Sequence, residues 1–241
     1  MAAQRTGYDT NVAVAFLWPF KTAIVAVLIY VLLGLTLLGC AWMFSKYHLA
    51  SGWENPVTAS QRLFDAEAAR VQQMLPAHAE FEVLPTLIQK SQRFAYWLFF
   101  ETTTLHQAMQ VNLQKQQVNH LDRVYLTHFV ARNADAIVSA MNLIQVFGLR
   151  FGLLLAAVPI FALVYVLASI DGFAERYIRR ACAGRESSDI NKMGRMSKLV
   201  GFATGAMVYL CLPLDLGIFW IVVPLVVVLA VATRYQWQFY K

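Results

Sequence analysis

Four runs without a single charged residue decide what this chain can become. Thr22 to Ser45 gives 24 uncharged residues between Lys21 and Lys46, and Phe151 to Ile170 gives 20 between Arg150 and Asp171. A bilayer core of roughly 30 Å takes about 20 helical residues, so each run is long enough to cross one. Leu199 to Leu214 (16 residues) and Leu216 to Thr233 (18 residues) are separated only by Asp215 and read as a helical hairpin. Its tip falls at Pro213-Leu214-Asp215, because a proline disfavours helix in the residue before it and aspartate suits a solvated turn. The 59% hydrophobic and 14% charged content, with mean hydropathy +0.50, is wrong for a soluble globule, which carries roughly 45–50% apolar and about 25% charged residues.

The first run is too long for the apolar part of a cleaved signal peptide and continues through Trp42, Met43 and Phe44, so it reads as a retained anchor. Pro159 and Pro224 fall inside the second and fourth runs, where neighbouring helices can satisfy the freed carbonyls. Trp18, Trp42, Tyr47, Trp53, Trp220 and the Tyr235/Trp237/Tyr240 cluster lie near the run ends, as an interfacial aromatic belt requires.

Orientation follows from the basic residues of short segments, which are held on the cytoplasmic side. The segment 171–198 carries seven: Arg176, Arg179, Arg180, Arg185, Lys192, Arg195 and Lys198. The N-terminal 1–21 and the tail 234–241 are also basic, and the hairpin tip has no basic residue. The expected chain is thus an all-α membrane protein in a bacterial inner membrane, both termini inside. Its spans are 22–45, 151–170, 199–214 and 215–233, with a tight outer turn near 213–216, a basic cytoplasmic loop 171–198 and a periplasmic helical domain 46–150. The outer segment holds nine basic and eight acidic residues, which does not oppose this, since long loops translocate largely regardless of charge.

Periodicity within 46–150 predicts helices rather than strands. One carries Leu63, Ala66, Ala69/Arg70, Met74 and Leu75 and starts near a cap at Thr58 or Ser60, with Pro76 and Pro85 bracketing a break. A second runs from about Thr86 to Gln117 with Leu87, Phe94, Trp97/Leu98, Leu105 and Met109 on a broad face. A third runs from about Asn119 past Val124, Phe129, Ile137 and Met141 into the second span.

The chemistry is mostly absence. His48, His78, His106, His120 and His128 include no i,i+4 pair and none sits beside a cysteine at ligand spacing, which argues against a metal site. Cys40 and Cys211 fall in predicted spans and Cys182 in the inner loop, so the outer domain has no disulfide framework; a Cys40–Cys211 bridge is geometrically conceivable. No phosphate-binding loop, GxSxG elbow or dinucleotide fingerprint appears. No catalytic residue or cofactor is expected, and the reading is non-enzymatic. A transporter or pore is the alternative, disfavoured because the spans hold no ionisable residue except Asp215 at the tip.

The densest signal is Asp171-Gly172-Phe173-Ala174-Glu175-Arg176-Tyr177-Ile178-Arg179-Arg180, followed by Gly184-Arg185-Glu186-Ser187. Arg176, Arg179 and Arg180 share a helical face that suits either anionic lipid headgroups or an acidic partner. Three arginines and a tyrosine do not make a sequence-reading DNA module. The span ending in Asp171-Gly172, these arginines, the Gly184–Ser187 run, and Phe94-Ala95-Tyr96-Trp97 with Glu101-Thr102 together resemble the integrating-conjugative-element membrane proteins. The continuation Asp189-Ile190-Asn191-Lys192 departs from the more aromatic, basic run expected there. The resemblance implies conjugative DNA transfer through a type IV secretion apparatus, as companion to the coupling ATPase and other channel subunits. It implies contacts at Asp171, Gly172, Arg176, Arg179, Arg180, Gly184, Arg185, Glu186 and Ser187, whether to lipid or protein. A homo-oligomer is left open.

Overall fold

A computed structural model of the chain describes residues 7–49, 52–74, 83–103, 132–182 and 188–239. Among these there are six α-helices and no strand: α1 (Gly7–Tyr47), α2 (Pro56–Met74), α3 (Val83–Tyr96), α4 (Ala134–Ala181), α5 (Ser188–Cys211) and α6 (Phe219–Gln238). A π-helical turn, Trp97–Glu101, prolongs α3. Gln117 and the start expected at Asn119 lie outside the described residues, as do Gly184, Arg185, Glu186 and Ser187.

The spine is α4, whose 48 residues rise roughly 72 Å at 1.5 Å per residue. Its first half is flanked by α2, α3 and α1, and its second half by α6, against which α5 packs along its length. Among the described residues, three helical stretches are long and apolar enough to cross a membrane: Ile24–Tyr47, Ala134–Ala181 and Phe219–Gln238. The stretch expected as a third span, 199–214, is shortened because α5 ends at Cys211; the charge-free helix 199–211 rises only about 20 Å. Residues 212–218 then connect α5 to α6 without helix. Pro159 and Pro224 are accommodated within α4 and α6.

Several local expectations are corrected. Within the segment 171–198, α4 continues to Ala181 and α5 begins at Ser188. α2 starts at Pro56, not at a Thr58 or Ser60 cap, since the proline ring presets the first helical φ. The two hydroxyls bond back to the Asn55 and Val57 carbonyls. Its buried stripe is Ala59, Ser60, Leu63, Glu67 and Val71, rotated from the expected face. On α3 the large side chains Phe94 and Trp97 point outward, while Ile88, Ser91 and Ala95 are buried. The cause is close approach to α4. A Cβ on Gly148 would stand 2.7 Å from Gln92 Cα, and one on Gly152 would stand 2.9 Å from Ile88 Cα, so α4 has no room for a side chain at either position. Ser91 Oγ donates to the Gly148 carbonyl at 2.8 Å across this seam.

The first charge-free run also divides. Ile24, Leu28, Leu32 and Leu35 are exposed, whereas Leu37 and Ala41 are buried with Ala59, Leu63, Leu143 and Ile144. Tyr30, Leu37 and Ala41 form one buried face of α1, packed against α5 and α4, while Trp42 and Met43 stay exposed. Trp53 is buried against Phe44, while Trp42, Tyr47, Trp220 and Tyr235 are exposed.

Candidate functional site

Polar chemistry gathers at two levels of α4. The upper one is centred on Arg150, the residue that opens the second charge-free run, and its side chain is fully buried. Nε and Nη2 donate to Glu67 Oε1 at 2.8 and 2.7 Å. Nη1 donates to the carbonyls of Tyr209 and Leu212 at 2.9 and 2.6 Å, and Nη2 donates to that of Leu214. A guanidinium has five N–H donors, so the five bonds saturate it. Three of its acceptors are carbonyls at and just past the end of α5, which a helix terminus leaves without intrahelical partners. Arg150 thus caps α5 and fixes its last turn.

Glu67 is buried, reaching Arg150 from α2, and Arg70 one turn on pairs with Asp215 at 2.6 Å. The hairpin tip is held twice, at its carbonyls by Arg150 and at its carboxylate by Arg70. The ring of Tyr209 lies 5.2 Å from the Arg150 guanidinium. Cys211 Sγ is 2.9 Å from Thr36 Oγ1 of α1, and Cys40, Cys182 and Cys211 are all free thiols, so no Cys40–Cys211 bridge forms.

The lower level holds the predicted candidates. Asp171 accepts from Arg234 of α6 at 3.0 Å, and Glu175 pairs with the same guanidinium. Gly172 is buried where a Cβ would stand 2.8 Å from the Arg234 carbonyl and 2.9 Å from Trp237 Cβ. Asp171 and Gly172 therefore join α4 to α6. The Phe173 ring meets Trp237 at 4.5 Å between centroids, and Arg179 lies 3.9 Å from the centre of the Phe239 ring. Arg176 and Arg179 are half-buried, so the shared basic face is partly used within the fold. Arg179 and Arg180 also occupy the last turn of α4, where cations complement the helix dipole. What α4 presents outward here is Tyr177, Ile178 and Arg180, with Tyr177 79% exposed. On α5, burial and the neighbouring Arg195 hold Lys198 below the ordinary lysine range.

Arg150 and Asp171 are 21 residues apart on one helix, roughly 32 Å. Between them α4 exposes Leu155, Val158, Ile160, Leu163, Val166 and Ile170. Two ionic layers thus bracket an apolar band.

Sequence reasoning missed the Glu67–Arg150 pair, whose partners are 83 residues apart. One signal was present: on α2, Glu67 interrupts the stripe Leu63–Val71 at i,i+4 spacing, an apolar face that should hold no carboxylate unless a cation meets it. No group of three or more His, Cys, Asp or Glu side chains suited to a metal occurs among the described residues.

Residues 53–241 match the model of the DtrJ-like family, described as IncC plasmid conjugative DNA transfer protein DtrJ-like. The match covers more than three quarters of the chain and includes both ionic layers. Neither the curated proteins nor the solved structures gave a match.

Proposed function

This chain belongs to the DtrJ-like family of conjugative DNA transfer proteins, and from that premise we propose that it is a non-enzymatic inner-membrane scaffold of a type IV secretion apparatus that docks the coupling ATPase. Kinship with the integrating-conjugative-element membrane proteins is part of the same proposal. The observation that carries the docking is the inner end of α4. Tyr177 and Ile178, 79% and 61% exposed, lie six and seven residues past Asp171, about 10 Å beyond the lower ionic layer. Exposed tyrosine beside arginine is the composition of interface cores rather than of idle surface. The saturated Arg150 favours a rigid scaffold over a transporter, whose ionisable groups must exchange partners.

We place four crossings in the membrane. α5 runs antiparallel to α6, with Gly194 against Ala232 and Gln236, Gly201 against Val228 and Gly205 against Leu225. It therefore crosses wherever α6 does, despite its short charge-free stretch. Both termini and 171–198 face the cytoplasm, and 46–150 faces the periplasm. Cys182 is exposed and reports this directly. A membrane-impermeant maleimide is expected to leave Cys182 unmodified in spheroplasts and to label it after lysis, while Arg62→Cys on α2 labels in both. Labelling of Cys182 in intact spheroplasts would invert the topology.

Docking is tested by crosslinking pull-down from mating-competent membranes. Because Arg176 and Arg179 are half-buried, the informative variants are Tyr177→Ala and Arg180→Glu. Both are expected to cut recovery of the coupling ATPase by about tenfold or more, the loss of a hot-spot contact, at equal expression. Undiminished recovery from both would remove this surface from the docking reading.

A further inference from the structure

We infer that the groove between α3 and the upper apolar turns of α4 binds a single anionic phospholipid of the outer leaflet. The groove, about 640 Å³, is lined by Thr86, Leu87, Lys90, Ser91 and Phe94 of α3 and by Phe151 and Leu155 of α4. Its walls change character with depth. Lys90 is exposed and, among the described residues, provides the one formal charge in the lining. Thr86 stands one helical turn from Lys90 on the same face, and an exposed ammonium suits a phosphate.

The other wall is apolar. Phe151 follows Arg150 directly, so it begins the band below the upper ionic layer, and Leu155 is 40% exposed at the head of the stripe that continues through Val158 and Ile160. A ligand seated here meets a cation at the level of Arg150 and hydrocarbon immediately beneath it. An anionic headgroup joined to acyl chains has that profile, whereas a free phosphate would leave Leu87, Phe94, Phe151 and Leu155 uncovered. This assignment rests on the membrane placement proposed above.

The test is native mass spectrometry of the full chain released from detergent carrying phosphatidylglycerol, phosphatidylcholine or glycerol phosphate. One phosphatidylglycerol is expected to be retained, with roughly fivefold weaker retention in Lys90→Gln, the effect of one lysine at an anionic surface. Lys46→Gln, which removes an exposed lysine on α1, should retain the lipid as the parent does. Equal retention by Lys90→Gln, equal retention of phosphatidylcholine, or equal binding of glycerol phosphate would each overturn the assignment. Resistance of the same preparation to alkaline extraction reads bilayer insertion separately, so a failed lipid site and a failed membrane placement give different results.

Discussion

Replacing Glu67 with alanine is expected to destabilise the protein by about 3–5 kcal/mol, the cost of leaving one member of a buried ion pair without its partner. At about 2–4 °C per kcal/mol for a chain of this size, the melting midpoint in detergent should fall by roughly 10 °C. Arg150→Met should do at least as much, by a second mechanism. It strands Glu67 and also orphans the buried carbonyl of Tyr209 and the half-buried one of Leu212, at about 1–3 kcal/mol for an unsatisfied buried acceptor, while the Leu214 carbonyl keeps the Leu216 N–H. The double variant Glu67→Met/Arg150→Met separates the two roles. Were Arg150 only an ion-pair partner, the apolar replacement would be nearly neutral or stabilising. Because it also caps α5, the double variant should stay destabilised by at least about 2 kcal/mol. Arg150→Lys should not rescue, since an ammonium offers three donors at one point where five are used in a planar fork. A double variant as stable as the parent would refute the capping role.

This pair also marks where the sequence stopped being legible. Helices were readable because the charge-free runs are long and their brackets are charged, and Pro213 lies in the break between α5 and α6. Faces were less so. On α3 the large aromatics suggested a buried stripe, yet the buried residues are Ile88, Ser91 and Ala95. The reason lies on another helix, where Gly148 and Gly152 let α4 approach too closely for Phe94 or Trp97. A stripe of large side chains signals burial only when the partner leaves room for them. The inner segment shows the same limit. Its arginines were conspicuous as charge, but a charge count cannot say that Asp171 answers Arg234 or that Arg179 lies over Phe239. The outward-facing Tyr177 and Ile178 carried no charge signal. Each of these outcomes depends on a contact dozens of residues away, where local period and composition have nothing to report.

The same seam yields the second large effect, with a sign that depends on position. Gly148→Ala would put a Cβ 2.7 Å from Gln92 Cα, 2.9 Å from Ala95 Cβ and 3.1 Å from the Ser91 carbonyl oxygen. Two of these three atoms are backbone, so relief requires α3 and α4 to separate, and the Ser91–Gly148 hydrogen bond lengthens with them. Overpacking of this kind costs about 1–3 kcal/mol. Gly39 is also helical, and a Cβ there meets nothing within 4 Å. Gly39→Ala should therefore stabilise by about 0.5–1 kcal/mol, since alanine loses less backbone freedom in a helix than glycine does. The two variants differ by one methyl group each and are expected to move the melting midpoint in opposite directions. Gly148→Ala should also raise the rate of proteolysis within 83–103, because α3 loses its close seat on α4, while Gly39→Ala leaves that rate unchanged. If both substitutions stabilised the protein, the backbone-to-backbone seam would be wrong, and the outward placement of Phe94 and Trp97 would lose its physical cause.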